Sequence, residues 1–186
     1  SGSIPLPATI NKFIDSIYIF PDIYKSSLEI DYLIKNLATN LDDSHIYIII
    51  DKDLKSFLKN SSIEKGVSSK EYDSIEKTMA KFEPLILKLK EYWNRARPYQ
   101  YANLIEAPLY PINTVSGHSP AYPSGHTLQG LVWARLISVV KPELKEWADS
   151  MAVKINLSRL ALGVHFPSDI DFSKKICKYL IARKFI

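Results

Sequence analysis

Among its 186 residues the chain has a single cysteine, Cys177. No intrachain disulfide can form, so the fold does not depend on an oxidising compartment. Cys177 itself reads as a small buried hydrophobe on the last helix. Long apolar runs are missing too. Nothing approaches the ~20 residues of a membrane span. The apolar stretch 46–50 stops at Asp51, and Gln129 and Arg135 interrupt 127–140. No transmembrane segment is expected, which leaves peripheral contact with a membrane surface open. The chain also lacks a Lys/Arg run interleaved with aromatics, which argues against a nucleic-acid partner. It has no internal repeat and no low-complexity tract. No His/Asp/Glu group has metal-ligand spacing, so no metal is expected.

What remains is the material of a helical protein. Hydrophobic residues make up 46% of the chain, enough for a core, and six glycines leave room for long helices. The length fits one domain, 1–186. Within it, 1–79 form N-terminal helices of unassigned role and 80–186 form the functional core. Apolar spacing predicts helices over 10–20, 27–40 (capped by Ser27), 69–95, 124–140, 143–162 and 168–185. Pro84 kinks or divides the 69–95 helix. The 46–58 stretch fits a buried strand at its start, but helix overall. Residues 96–122 carry Pro98, Pro108, Pro111, Pro120, Gly117 and Asn113. They predict one loop of more than twenty residues, placed to line the mouth of a site. The expected fold is an all-α, single-domain helical bundle with its active site at helix ends and connecting loops.

Three short segments carry the chemistry. Lys90 is followed by Arg97-Pro98. Pro123-Ser124-Gly125-His126 runs into a helical pattern. Ser158-Arg159 is followed by His165 and Asp169. Together they offer three cations, two histidines and one carboxylate, a set suited to holding a tetrahedral oxyanion. Arg97 and Arg159 suit bidentate contact with phosphate oxygens, and Lys90 supplies a point charge. A separation of seven residues places Lys90 and Arg97 on one face of one helix. Arg95 then turns away from that face, toward solvent or an acidic neighbour. At Ser124 and Gly125, backbone N–H groups of a helix N-terminus cradle anions, and the Ser124 hydroxyl adds a donor. His126 is placed as a general acid for the leaving oxygen. His165 is the candidate nucleophile, forming a phosphohistidine. Asp169, four residues on, takes the proton of one ring nitrogen and leaves the other free to attack.

Around these, Ser158 reads as a support and Asp171 as a helix-start acid. His118 is balanced between reaching the pocket and facing water, and His45 reads as structural. Most of Tyr92, Trp93, Tyr99, Tyr101 and Tyr122 read as packing.

The three segments resemble the signature of the type 2 phosphatidic acid phosphatase superfamily, which includes bacterial acid phosphatases, membrane lipid phosphatases and vanadium haloperoxidases. Lys90 to Pro98, Pro123 to His126 and Ser158 to Asp169 all fall in its register. Residues before about Met79 match no pattern. The resemblance implies an all-α bundle and the same roles for His126, His165 and Asp169. It also implies a metal-independent phosphomonoester hydrolase with a small phosphorylated substrate and no cofactor. Vanadate is then an inhibitor.

Two alternatives stand beside this reading. In a vanadium-dependent haloperoxidase, vanadate would be the cofactor on the same residues, although the chain is short for one and shows no halide site. The other alternative is a non-enzymatic phosphate-binding or structural protein on the same scaffold. The reading favours a soluble, cytoplasmic protein. The start Ser1-Gly2-Ser3 lacks Met, so a periplasmic or secreted location stays open if a signal peptide was removed. The sequence sets neither substrate nor oligomeric state.

Overall fold

Polar caps and prolines cut the chain into α-helices with no strand among the described residues. The structure is a computed structural model describing residues 11, 13, 20–37, 41–112 and 114–186, with backbone alone for 41–43. The helices are α1 (Ile23–Asn36), α2 (Leu41–Lys52), α3 (Leu54–Glu64), α4 (Ser69–Ala80), α5 (Glu83–Trp93), α6 (Pro98–Leu104), α7 (Gly125–Val140), α8 (Lys145–Ala161) and α9 (Pro167–Ala182). The fold is all-α, as expected.

The boundaries follow from local chemistry, and several differ from the sequence reading. α1 starts earlier than residue 27 because Asp22 is its cap, accepting from the Lys25 amide at 2.8 Å. The ambiguous 46–58 stretch is helical but broken. Asp53 leaves helical geometry and caps α3 through the Ser56 amide. Ser68 and Glu71 form a reciprocal capping box that starts α4. The 69–95 helix is divided at Pro84, which sits in the first turn of α5, where a missing N–H costs nothing. The helix expected over 10–20 lies outside the described residues, apart from Asn11, Phe13 and Phe20. Residues 96–122 are not one loop, since Pro98 starts the short α6.

α7 is the central helix. It packs on α8 and α9 and also touches α3 and α4. Trp133 and Ile137 face Ala148, Ala152 and Ile155 of α8. Leu128 and Val132 join Phe172, Ile176 and Leu180 of α9. Gly130 allows the α7–α8 crossing, because a Cβ there would lie 2.9 Å from Ile155 Cδ1. Each fully buried aliphatic side chain of this kind contributes ~1.5–3 kcal/mol. A third cluster packs Ile30 and Leu33 of α1 against Ala102, Leu109 and Phe166. It backs the turn that carries His165. The expected aromatic packing is present in part: Tyr122 stacks on Phe172 at 4.2 Å, while Tyr92 is exposed.

Candidate active site

The start of α7, the ends of α5 and α8, and the start of α9 converge on one pocket of about 440 Å³. Lys90, Arg97, Gly125, His126 and His165 line it, with Ser116, His118 and Ser119 from the 105–124 loop. The loop therefore lines the mouth, and the exposed His118 faces both water and the pocket.

Lys90 and Arg97 arrive by a route the sequence did not suggest. They do not share a helix face. Asn94 takes a left-handed conformation (φ 44°) and ends α5, its N–H bonded to Lys90 O at 2.8 Å. Arg97 then precedes α6 in extended backbone. The reversal aims both side chains into one space. Lys90 Nζ donates to Pro120 O at 2.6 Å. The Arg97 guanidinium donates to the carbonyls of Ser119, Val164 and Ser116 at 2.5–2.8 Å. Both cations are buried. Burial first, then the neighbouring Arg97, brings Lys90 down to about 7, with Asp169 opposing. Burial brings Arg97 down to about 10, again against Asp169.

His165 sits between a base and an acid. Its Nδ1 lies 3.1 Å from Asp169 Oδ2, and its Nε2 lies 2.9 Å from Arg97 Nη1. The ring gets there because Gly163 reverses the chain after α8 at φ +71°. A Cβ at Gly163 would meet Leu37 at 2.7 Å and Pro111 at 3.0 Å. Asp169, in the first turn of α9, also accepts from the Phe166 amide at 2.8 Å, a position the helix N-terminus favours for a carboxylate. Burial, with Arg97 and Lys90 nearby, drives His165 well below its usual range. Burial also pushes Asp169 up to about 6, against the pull of Arg95. Both shifts disfavour charge, so at neutral pH the contact is a hydrogen bond from neutral imidazole to carboxylate. That leaves Nε2 as the acceptor of the Arg97 Nη1 N–H, at the edge of the pocket.

His126 lies across the pocket. Burial and Arg159 bring it down to about 3, against the Asp51 carboxylate and a hydrogen bond with the Asp51 backbone. Its Nε2 has no partner among the described residues. Gly125 puts no side chain beside Lys90, where a Cβ would stand 3.8 Å from Cε. Ser124 departs from its expected donor role. Its hydroxyl is fully buried, donates to Thr127 Oγ1 at 3.0 Å and accepts from the Thr127 amide. It caps α7 and is not among the pocket's lining.

Three charged residues were not singled out, or not fully. Asp51, at the end of α2, binds Arg159 Nη1 at 3.1 Å, the Ser116 hydroxyl and the Val115 amide. Burial alone would raise its carboxyl. The Ser116, Arg159 and Val115 contacts outweigh that and hold it below the usual value. Arg159 also takes Ser158 Oγ at 3.1 Å, and its Nη2 is buried without a partner among the described residues. Arg95 takes the acidic alternative, not solvent. It is buried against Asp169 at 2.6 Å and Glu29 at 3.2 Å, with the Phe166 ring beneath it at 3.8 Å. Glu29 also accepts from the Ser168 amide and hydroxyl, each at 2.7 Å. Asp51 ends an apolar run, and Glu29 interrupts one. A charge on the apolar side of a helix was the available signal. Conversely His45 is exposed on α2, against the structural role expected of it, and Asp171 is exposed on α9 just past the first turn, where Asp169 is the acid.

The family profile described as PAP2 superfamily matches residues 79–181. A non-specific acid phosphatase of Salmonella typhimurium is 30% identical over 94 residues, and one of Providencia stuartii is 27% identical over 93. Each alignment spans 50% of this chain and 37% of the relative. The fold resembles that of a transmembrane PAP2-type phosphatidylglycerolphosphate phosphatase from Bacillus subtilis. The TM-score is 0.62 and the identity 19%, with 97% of this chain and 93% of that one covered. Among the described residues no helix is long and apolar enough to cross a membrane.

Proposed function

From membership in the PAP2 superfamily, to which this chain belongs, we propose that it is a phosphatase hydrolysing phosphomonoesters through a phosphohistidine on His165. The carrying observation is the hydrogen-bonded chain from Asp169 Oδ2 through His165 to Arg97, the last two lining the pocket, where an entering phosphate would take the Arg97 N–H and free Nε2. A phosphate entering there takes Arg97 and Lys90 as counter-charges and the N–H groups of Gly125 and His126 as donors. Arg159 is buried behind the pocket's lining, and its unpartnered Nη2 is a further donor for a phosphate that reaches it. Phosphoryl transfer asks the protein mainly for this positioning and neutralisation.

The reaction runs in two displacements. His165 Nε2 attacks phosphorus, and the P–N bond forms as the P–O bond to the alcohol breaks. The leaving oxygen takes a proton from His126. Asp169 holds the Nδ1 proton and stabilises the imidazolium character that develops. Water then attacks the phosphohistidine, gives a proton to His126, and releases phosphate and neutral His165. Because burial and Arg159 favour neutral His126, its acid role depends on the bound phosphate, whose negative charge favours the imidazolium.

Metal independence belongs to the same proposal, because the cations already neutralise phosphate. Among the described residues no group of three His, Cys, Asp or Glu is placed to hold a metal. Hydrolysis is expected to persist in excess chelator, and loss restored by a divalent metal would overturn this part. Orthovanadate is expected to compete with substrate. The decisive test is acid-quench trapping with labelled substrate. His165→Ala should give no phosphoenzyme. His126→Ala should still form one from a substrate with a very good leaving group, while losing ~10²–10⁴-fold with a poor one. Label trapped on another residue would reject the scheme.

A further inference from the structure

A second cavity, of about 580 Å³, lies along α7, α8 and α9 and shares no lining residue with the phosphate pocket. α8 and α9 both lean on α7 and make few contacts with each other. The gap leaves a groove walled by Leu131, Val153, Leu157, Ile170 and Ile181. Val153 and Leu157 are 55% and 49% exposed. The size falls within the ~300–1,000 Å³ typical of small-molecule sites.

Two further observations point to an occupant. Asn156 is only 8% exposed, lines the groove, and its Oδ1 has no hydrogen-bond partner among the described residues. A buried acceptor left unpaired is costly, so this site favours a guest that donates a hydrogen bond. Around the groove stand the exposed Arg135, Lys174 and Lys178. None has a carboxylate partner among the described residues, whereas Lys145 is paired with Asp149 at 2.5 Å. A second copy would bring the same cations to the same place and is disfavoured. Free phosphate would leave the apolar walls unfilled.

We infer that the groove binds a single-chain anionic amphiphile bearing a hydroxyl, with its acyl chain on the α7–α9 walls, its hydroxyl on Asn156 Oδ1 and its anionic head among Arg135, Lys174 and Lys178. This does not rest on the phosphatase reading, since the two cavities are separate.

The test uses 1-acyl-lysophosphatidylglycerol, a phosphodiester and hence not a phosphomonoester substrate, titrated calorimetrically below its micelle-forming concentration. Saturable binding of one molecule per chain is expected. Val153→Glu, on an exposed wall, should weaken it about tenfold, and so should Lys174→Glu combined with Lys178→Glu. Para-nitrophenyl phosphate hydrolysis should stay unchanged in each. Asn156→Leu should weaken the lysolipid but not a plain fatty acid of equal length. Absence of saturable binding, or equal binding by Val153→Glu, overturns the proposal. Binding only to anionic vesicles would also overturn it, assigning the cations to a membrane surface. So would a lipid-free dimer broken by Val153→Glu, which would assign the groove to a second copy.

Discussion

Two buried guanidinium–carboxylate clusters flank the candidate active-site pocket, and they are built differently. On one side Arg95 is held by Asp169, Glu29, Ser168 and Ser26, with both terminal nitrogens engaged. On the other, Arg159 is held through Nε and Nη1 alone, and Nη2 is left without a partner among the described residues. The first cluster is closed, with one guanidinium held between two acids. The second is open, with one acid and one free donor. A closed cluster braces, fixing Asp169 behind His165. An open one presents a cation while keeping it in place. In both, a carboxylate from the N-terminal helices, Glu29 or Asp51, is the counter-charge. Those helices lie outside the 79–181 match, yet they hold its arginines.

The largest effect should come from opening the closed cluster. Arg95→Leu strands Glu29 and Asp169 as buried carboxylates facing an apolar side chain. Removing one member of a buried ion pair typically costs ~3–5 kcal/mol. Denaturant unfolding should show a loss of that size, with or without phosphate present. A loss under about 1 kcal/mol, the value of an exposed pair, would mean that Arg95 is no brace.

Arg159→Lys sharpens the contrast from the other side. A lysine ammonium can meet Asp51 or a phosphate, but it lacks the fork that reaches both. Stability should change little, while kcat/KM falls by ~10²–10³, the usual cost of one transition-state donor. Equal losses of stability in Arg159→Lys and Arg95→Leu, with activity retained, would erase the distinction between the clusters.

Asp51→Asn asks whether the open cluster also positions substrate. The amide keeps an acceptor for Arg159 but cannot accept from every present donor. The cost is therefore that of an unsatisfied buried group, ~1–3 kcal/mol. KM should rise as well, because Arg159 and the Ser116 loop lose a common anchor. An unchanged KM would make Asp51 a brace of the Glu29 kind.

The sequence exposed one side of these clusters far better than the other. Lys90, Arg97, His126, Arg159, His165 and Asp169 stand in fixed register within three short segments, so the expectation that they serve one anion could be read from spacing and residue type. Asp51 and Glu29 stand 108 and 66 residues from the arginines they serve. Nothing local marks them except a charge on an otherwise apolar face. The helical class was legible from apolar spacing, but the breaks were less so. Asn94 and Asp53 end helices through backbone conformations that periodicity does not register. Asn94 is the costliest of these omissions, because its left-handed turn is what brings Lys90 and Arg97 together. Ser124 has a role that its motif position did not suggest. Its motif position suggested a phosphate donor, while its burial and its bond to Thr127 make it a cap.

The smallest expected effect concerns pH, and it separates Lys90 from His126. A bell-shaped profile peaking on the acid side of neutral follows if His126 must be protonated and His165 neutral. Burial changes which groups set the limbs in the free enzyme. Asp169 is raised to about 6, so the carboxylate that holds the His165 proton forms only as pH rises through that value. Lys90 is lowered to about 7, so it is a cation below that value and neutral above it. His126, at about 3, is already neutral across the whole interval. With a good leaving group, kcat/KM should therefore rise through about pH 6 and fall through about pH 7. Beyond the upper value it should lose about tenfold per pH unit, as a single deprotonation requires. Substrate ionisation also falls near ~6, which is why the alkaline limb is the informative one. Lys90→Arg places a guanidinium that keeps its charge throughout. It should move the alkaline limb upward and leave the acid limb in place. His126→Ala should leave both where they are. If instead the alkaline limb disappears in His126→Ala and survives in Lys90→Arg, the limb is histidine's, and the bound phosphate holds His126 charged far above about 3.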